Sequence, residues 1–213
     1  RVLDVEEIAL GVGPEAGVDY LYVGDIGDND GRRPEVSVVR VPEPVLEGAG
    51  TVSLRAEDCE QFRLDYPDGA HNAEAMFVDP ATGTLYIATK EARGARLYEI
   101  SREELRPDER NALTLAAELD VDYVSAAAIS WDGGLVVLRR EDEGWLWFRR
   151  RGQGGADALR EPPRPVQVLG RRQGKNGEAI TFRPDGACYY TLSEGKKQAI
   201  YEFDATAVET ADR

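Results

Sequence analysis

The sequence of 213 residues is poor in the side chains that build common metal and redox centres. It contains one histidine, His71, and two cysteines, Cys59 and Cys188. A single histidine excludes zinc sites that use several histidines. Two cysteines so far apart exclude a cysteine-rich metal ribbon and a disulfide scaffold. We therefore expect both thiols to be buried as small apolar groups.

Basic residues and long apolar runs are also scarce. The chain has 26 lysines and arginines against 40 aspartates and glutamates, a formal net charge of −14. Such a chain repels phosphate backbones, so we expect no nucleic-acid binding through a broad basic face. No run approaches the roughly 18 apolar residues of a membrane helix, so we expect a soluble chain without a membrane span. The start at Arg1, without a charged-then-apolar leader, indicates a processed, trimmed or partial product.

Motifs of covalent catalysis and nucleotide binding are missing as well. The sequence has no G-x-S-x-G nucleophile elbow, no P-loop and no dinucleotide fingerprint that opens a helix. Any catalysis would therefore depend on carboxylates, the single histidine and a bound cation.

What the sequence does contain is one pattern that occurs four times. Each copy has a short apolar stretch, a turn rich in Gly, Pro or Asp, and a second apolar stretch, as in GEAITFRPDGACYYTLSE. This order predicts a β-hairpin. The copies span residues 5–25, 73–90, 124–140 and 177–194.

Two further strand-like runs follow each of the first three hairpins, and one run, QAIYEF, follows the fourth. Four strands per unit, repeated at about 40–50 residues, are typical of a β-propeller blade. We predict an all-β protein, a β-propeller of four-stranded antiparallel blades, with four blades in a single domain over residues 1–213. The only predicted helical segment is one capped turn in SREEL, and RGQGGADALREPPRP is predicted to be a long connection.

Two arrangements of the chain ends fit this pattern. The fourth unit lacks its outer strand, and RVLDV stands where such a strand would end. Either four blades close through residues 1–5, or the chain is the N-terminally incomplete part of a propeller with five or six blades. We favour the second arrangement.

When the hairpins are aligned on their turns, Glu6, Glu74, Ser125 and Glu178 fall at one equivalent position. The innermost strand of each blade borders the central channel, so we expect the three glutamates to converge on the axis. Converging carboxylates repel one another unless a cation or a partner charge lies between them.

Charged residues also end the second strand of each hairpin. These are Asp25, Lys90, Arg139 or Arg140, and Glu194. One interpretation is a buried ion network that ties the blades together. The other is a binding site for a small polar ligand or divalent cation at the channel mouth, built from these residues and the three glutamates.

The loop GDIGDND offers the oxygen ligands of Asp25, Asp28, Asn29 and Asp30. Calcium favours several oxygens from one tight loop, so the loop is a candidate calcium site. The alternative is an ordinary turn in which Asp and Asn side chains bond the local backbone.

His71 lies three residues before Glu74, and both are candidate catalytic residues. His71 is a candidate general base or ligand contact, and the alternative is a hydrogen bond within its own loop. The basic loop RRQGKNG (171–177) leads towards the channel, either to hold an anionic group or simply as a solvated loop.

The phrases YLYVGDIGDND, YPDGAHNAEAMFVDPATGTLYIATK and GEAITF together resemble a family of uncharacterised bacterial β-propeller proteins, best represented in actinobacteria. The DIGDN and YPDGxHxxEA motifs are the most specific part of the resemblance, which spans residues 4–194. The family is akin to six-bladed TolB-like propellers, phytase-like esterases and lactonases. The resemblance implies a propeller fold, further N-terminal propeller sequence and an extracellular or periplasmic location, and it provides no catalytic assignment to transfer.

Three functions are compatible with these observations. We prefer a protein that binds a small polar ligand or a divalent cation, with Ca²⁺ as the candidate cofactor, because the catalytic motifs are missing. The second is a metal-assisted hydrolase of phosphate esters or lactones. The third is a structural repeat module that contacts a partner protein.

Overall fold

The computed structural model describes residues 3–45, 48, 51–169 and 177–205. The described strands form four small sheets, and each sheet is one blade of a β-propeller. The all-β prediction and the four predicted blades are therefore confirmed.

Blade 1 contains β1 (Glu7–Val12), β2 (Asp19–Asp25), β3 (Val36–Pro42) and β4 (Glu60–Asp65), with a short 3-10 turn at Ala56–Asp58. Blade 2 begins with β5 (Ala73–Val78), β6 (Leu85–Thr89) and β7 (Arg96–Ile100). The chain then forms β8 (Arg110–Ala112), and β9 (Thr114–Glu118) completes blade 2.

Blade 3 contains β10 (Ala126–Ile129), β11 (Leu135–Arg139), β12 (Gly144–Phe148) and β13 (Arg164–Val166). Blade 4 contains β14 (Gly177–Phe182), β15 (Cys188–Ser193) and β16 (Tyr201–Asp204). The innermost strands are β1, β5, β10 and β14, and together they line an axial cavity of about 290 Å³.

Strand β8 departs from the predicted four-stranded blades, because it pairs in parallel with β4 and makes blade 1 five-stranded. The side-chain Nδ2 of Asn111 donates to the backbone carbonyl of Arg63 at 3.2 Å, and the Arg110 guanidinium forms an ion pair with Glu35 at 3.0 Å. This strand covers the outer edge of blade 1 and fastens blade 2 to it.

The four hairpins repeat in register. Equivalent pairs across the two inner strands are Ile8 with Val23, Met76 with Ile87, Ala127 with Leu138, and Ile180 with Thr191. In β5 and β14 the register shifts at Glu74 and Glu178, the two residues that the repeat alignment had equated. The structure thus places the aligned residues at the same point of their blades.

The hydrophobic core is divided into three layers, one between each pair of successive blades. Tyr22 and Met76 belong to the first layer, Tyr86 and Leu138 to the second, and Val137 and Phe182 to the third. A face of a blade is therefore buried where it packs against a neighbouring blade.

Helical structure is minor and partly unexpected. The segment predicted as a long connection contains α1 (Gly155–Leu159), whose Ala158 and Leu159 are buried in the second layer. In SREEL the Glu104 carboxylate accepts a hydrogen bond from the Ser101 backbone N–H at 3.2 Å, as in a capping box, but only a turn forms. Among the described residues, no helix has the length and apolar character needed to cross a membrane.

Candidate functional site

An ion pair in blade 2 forms the centre of the site. Glu74 is buried at the bulge of β5, and Lys90 directly follows β6. The hairpin holds them together, because the Lys90 amide donates to the carbonyl of Asn72 at 2.9 Å. The Lys90 Nζ atom then lies 2.5 Å from Oε2 of Glu74. The pair places a positive charge where the repeat predicted converging carboxylates.

Glu6 approaches this pair from blade 1. Burial, repulsion from Glu74 and Asp4, and a hydrogen bond with Asp4 raise the pKa of Glu6 to about 7, although Lys90 opposes the shift. Glu6 therefore exchanges a proton near neutral pH.

Glu178 approaches from blade 4 and is exposed to solvent. Partial loss of water around the Glu178 carboxyl raises its pKa, and repulsion from Glu194 and Glu74 raises the pKa further. The positive charges of Lys90 and Arg139 oppose this shift. Glu6, Glu74 and Glu178 thus interact electrostatically around Lys90, and the exposed Glu194 adds to the negative charge.

A pocket of about 430 Å³ opens over this cluster, and we call it the mouth pocket. At its wall, the hydroxyl of Ser125 donates to the carbonyl of Gly177 at 3.3 Å and joins blades 3 and 4. Tyr123 is 49% exposed and has a φ of 50°, a left-handed conformation that is uncommon outside glycine. The lining consists of Lys90, Tyr123, Ser125, Arg140, Glu141, Asp142, Gly177 and Glu178.

Arg139, predicted as a ligand-binding residue, is fully buried between blades 3 and 4. Its guanidinium donates to four backbone carbonyls at 3.0–3.2 Å, those of Arg140, Glu141, Leu169 and Ala179. Burial lowers the pKa of Arg139 to about 10, which Glu178 partly opposes. These hydrogen bonds make Arg139 a structural link between blades 3 and 4.

Arg140, the next residue, lies at the rim of the mouth pocket instead. It forms ion pairs with Asp122 and with Glu143, the second at 2.8 Å. Because these carboxylates already neutralise much of its charge, Arg140 would bind a ligand mainly by hydrogen bonds from its remaining N–H groups.

The candidate calcium loop is held by an arginine. Oδ1 of Asp25 accepts hydrogen bonds from the Asp4 amide at 2.8 Å and from Arg33 at 2.9 Å, and Oδ2 accepts from the Leu3 amide at 3.0 Å. Burial alone would raise the pKa of Asp25, but these donors outweigh it and hold the pKa below its usual range. Arg33 thus supplies positive charge beside Asp25.

The rest of this loop bonds to the backbone and to blade 2. Oδ2 of Asp28 accepts from the Arg33 amide at 2.7 Å, and the Asp28 amide donates to Asn72 at 2.7 Å. Asn29 accepts from the Asn72 side chain at 3.3 Å. The part of the chain that the structure describes holds no group of three or more His, Cys, Asp or Glu side chains arranged for a metal ion. The donor set matches a bonded turn, and calcium binding here stays a prediction.

His71 is held between two carboxylates. Its Nε2 atom lies 3.0 Å from Oδ1 of Asp68, and its Nδ1 atom lies 2.8 Å from Oε1 of Glu91. The Tyr98 hydroxyl donates to Oδ1 of Asp68 at 2.7 Å, and its oxygen lies 3.0 Å from Nε2 of His71. Both ring nitrogens are therefore engaged in this cluster, in which Glu91 directly follows Lys90 in the chain.

Glu7 is a site residue that the sequence alignment did not single out. Its Oε2 atom accepts from the Ala127 amide of blade 3 at 3.3 Å. Burial raises the pKa of Glu7 to about 8, although hydrogen bonds from Ile8 and Ala127 oppose the shift. The available signal was its repeat position, which the other blades fill with Ala75, Ala126 and Ala179.

Residues 171–176 of the basic loop lie outside the described residues. Cys59 and Cys188 are free thiols that are half-buried rather than fully buried.

The architecture resembles that of several solved structures at low sequence identity. A chain of Kuenenia stuttgartiensis hydrazine synthase matches with a TM-score of 0.52 and 14% identity over 97% of this chain and 48% of that chain. A chain of a nidogen/laminin complex matches with a TM-score of 0.51 and 11% identity over 94% of this chain and 76% of that chain. These two likenesses support the fold alone.

A third structure, the periplasmic gluconolactonase PpgL of Pseudomonas aeruginosa, has a TM-score of 0.48 and 12% identity over 92% of this chain and 56% of that chain. This chain spans about half the length of the hydrazine synthase chain that it matches. No protein-family model matches the sequence, and no curated protein matches it.

Proposed function

We propose that this chain binds a small polar ligand at the mouth pocket. One observation carries the proposal: Lys90, which pairs with Glu74 and interacts electrostatically with Glu6 and Glu178, lines a pocket of about 430 Å³ together with Glu178. Pockets of this size with a few converging polar groups are typical ligand sites.

The lining supports a ligand with hydroxyl or amine groups. The exposed Glu178 carboxylate accepts hydrogen bonds, and Lys90 and Arg140 donate them. Tyr123 adds a half-exposed aromatic ring at the rim. Because Lys90 already neutralises Glu74 at 2.5 Å, an organic ligand suits the pocket better than a bare divalent cation.

Binding is tested by thermal shift and calorimetric titration with polyols, monosaccharides, amino acids, organic amines and divalent metal chlorides. We expect one organic class to raise the unfolding temperature of the wild type and to bind at least tenfold more weakly to Glu178→Gln. Glu43→Gln, an exposed glutamate in blade 1, is the matched control. The proposal fails if no organic compound binds, or if Glu178→Gln binds as well as the control.

A hydrolase of phosphate esters or lactones is the second candidate, and Glu6 is the observation that favours it. A carboxyl with a pKa of about 7 is suited to general acid–base catalysis at neutral pH. Chromogenic esters and lactones, assayed with and without divalent ions, test this activity. Turnover that is equal in the wild type and in Glu6→Gln would exclude the proposed role of Glu6.

The third alternative, a structural repeat module that contacts a partner protein, predicts that no small ligand binds. An extracellular or periplasmic location is proposed from the sequence resemblance alone.

A further inference from the structure

The two cations that line the mouth pocket are already paired with carboxylates of the same chain. Lys90 lies 2.5 Å from Glu74, and Arg140 forms ion pairs with Asp122 and with Glu143. The charges of both cations are thus largely neutralised before a ligand enters. An anionic ligand gains little from cations that already have carboxylate partners, so the pocket disfavours anions.

Glu178 brings a further carboxylate to the same pocket, where it is exposed. Among the residues that the structure describes, Glu178 forms no ion pair. Lys90 and Arg139 offset its charge by electrostatic interaction, whereas Glu74 and Glu194 repel it. A positively charged group of a ligand relieves this repulsion, and a neutral group does not.

Elsewhere the chain holds its own cations with a carboxylate and an aromatic ring together. The guanidinium carbon of Arg40 lies 4.9 Å from the ring centre of Phe62, and its Nη2 atom lies 2.8 Å from Glu60. Arg140, besides its carboxylate partners, has its guanidinium carbon 5.8 Å from the ring centre of Trp145. In both places the carboxylate supplies a charged hydrogen bond and the ring supplies its negative face.

Tyr123 and Glu178 bring the same two partners to the lining of the mouth pocket. The Tyr123 side chain is 49% exposed, but its backbone is anchored, because its N–H donates to the carbonyl of Glu91 at 2.8 Å. Val121 and Val124, on either side, are buried in the second core layer. The pocket thus presents an aromatic ring on a fixed backbone together with a carboxylate.

We infer that the ligand of the mouth pocket is an organic cation, whose ammonium group binds the Glu178 carboxylate and whose adjacent carbon atoms pack against the Tyr123 ring. The inference rests on the proposed function and names the class of its ligand. A divalent metal ion needs several oxygen ligands at once, whereas an ammonium needs one carboxylate and a ring face. The volume of about 430 Å³ leaves room for an apolar ring or chain beside the ammonium.

Calorimetric titration of the wild-type chain at neutral pH, with probes of one shape and different charge, tests the inference. Cyclohexylamine, cyclohexanol and cyclohexanecarboxylate form one set, and 1,4-diaminobutane, butane-1,4-diol and butanedioate form a second. In at least one set we expect the amine to bind about tenfold more tightly than the alcohol, and the carboxylate not to bind. Added salt should weaken binding of the amine, because salt screens its attraction to Glu178.

Two pairs of variants locate the bound amine. Glu178→Gln removes the carboxylate charge and should weaken binding about tenfold, whereas Glu43→Gln, the exposed control in blade 1, should leave it unchanged. Tyr123→Leu removes the ring face and should weaken binding about fivefold, whereas Tyr123→Phe keeps the ring and should retain binding. Circular dichroism confirms that each variant is folded, and Tyr123→Met replaces Tyr123→Leu if that variant is not.

The outcomes separate this inference from the proposed function. If an alcohol, a monosaccharide or a carboxylate binds as tightly as the amines, the cation is the wrong class, and the proposed function stands where Glu178→Gln weakens that binding. If an amine binds equally well to Glu178→Gln and to Tyr123→Leu, it binds elsewhere and the inference is overturned. If no amine of either shape binds, the inference fails, and the proposed function fails with it only if no other organic compound binds.

Discussion

The Oε2 atom of Glu7 in blade 1 lies 3.3 Å from the backbone nitrogen of Ala127 in blade 3. β10, which contains Ala127, is the inner edge of its sheet, so its outward N–H has no strand neighbour within the blade. Glu7 satisfies that donor from another blade, a bond between sheets that are not successive. Burial raises the pKa of Glu7 to about 8, so the side chain that makes this contact is largely protonated at neutral pH.

Replacement of Glu7 by glutamine should flatten the pH dependence of stability. The pKa of Glu7 is about 8 in the folded chain against 4.5 for the ordinary side chain. Between these values the folded state binds more protons than the unfolded state, so the free energy of unfolding falls as pH rises. The introduced amide does not titrate and keeps an oxygen for the Ala127 N–H. We expect Glu7→Gln to exceed the wild type by about 2 kcal/mol above pH 8.

Urea unfolding from about pH 5 to about pH 9 measures this difference. Glu43→Gln, which changes charge in blade 1 on an exposed side chain, should follow the wild-type curve. Parallel curves for Glu7→Gln and the wild type would show that Glu7 titrates normally.

Removal of the Lys90 charge should destabilise the chain, and more so at high pH. Lys90→Met leaves the buried Glu74 carboxylate unpaired beside Glu6 and Glu178. Loss of one partner from a largely buried pair costs about 3 kcal/mol. The loss should shrink towards about pH 5, because protonation of Glu6, whose pKa is raised to about 7, removes one of the neighbouring negative charges.

The double variant Lys90→Met with Glu74→Gln is the control for this pair. We expect it to recover about half of the lost stability, since no unpaired charge remains at position 74. Chemical denaturation of the two single variants and the double variant gives the coupling energy. Additive effects would contradict a direct interaction between Lys90 and Glu74.

The sequence predicted the hairpins and their register because both depend on local chemistry. Turns such as the one around Pro184 and Gly186 fix where two strands pair, and alternation then fixes which side chains share a face. For this reason the repeat pattern predicts equivalent positions for Glu74 and Glu178, which are more than one hundred residues apart in the chain, and the strand register shifts at both.

Features that depend on distant contacts were not predicted. Strand β8 joins blade 1 rather than blade 2, and its three residues carry no signal for that choice. Arg33 binds Asp25, a contact that was not predicted, since the sequence offered only a calcium site or a turn bonded to the local backbone. Glu7 was not predicted as a site residue, because the repeat pattern was compared at positions that are polar in several blades. At the position of Glu7 the other three blades have alanine.

Replacement of Asp25 by asparagine should reveal what the DIGDN loop binds. The lowered pKa of Asp25 means that its carboxylate contributes stability above about pH 4, which is lost as pH falls through the folded value. Asp25→Asn weakens the bond to Arg33 and the bonds from the Leu3 and Asp4 amides, so we expect a loss of about 2 kcal/mol near pH 7.

Calcium provides the second arm of this experiment. Because Arg33 supplies the charge beside Asp25, we expect calcium to leave the unfolding temperature unchanged. A rise in the unfolding temperature of the wild type that disappears in Asp28→Asn would instead establish a calcium site in this loop.

Replacement of Gly177 by alanine should break the tie between blades 3 and 4. A Cβ atom at position 177 would lie 1.7 Å from Nη2 of Arg139 and 2.6 Å from its Cζ atom. Arg139 has no room to yield, because its guanidinium is fully buried and donates to four carbonyls. Overpacking of this kind costs about 3 kcal/mol.

Thermal and urea unfolding measure the loss, and Gly134→Ala is the control. A Cβ atom at position 134 meets its nearest neighbour, Oδ1 of Asp132, at 3.3 Å, so this substitution should cost far less. In the background of Arg139→Ala only the contact with the Glu141 carbonyl oxygen at 2.9 Å remains, so Gly177→Ala should cost less there than in the wild type. An equal cost of Gly177→Ala with and without the arginine would show that the glycine is required for another reason.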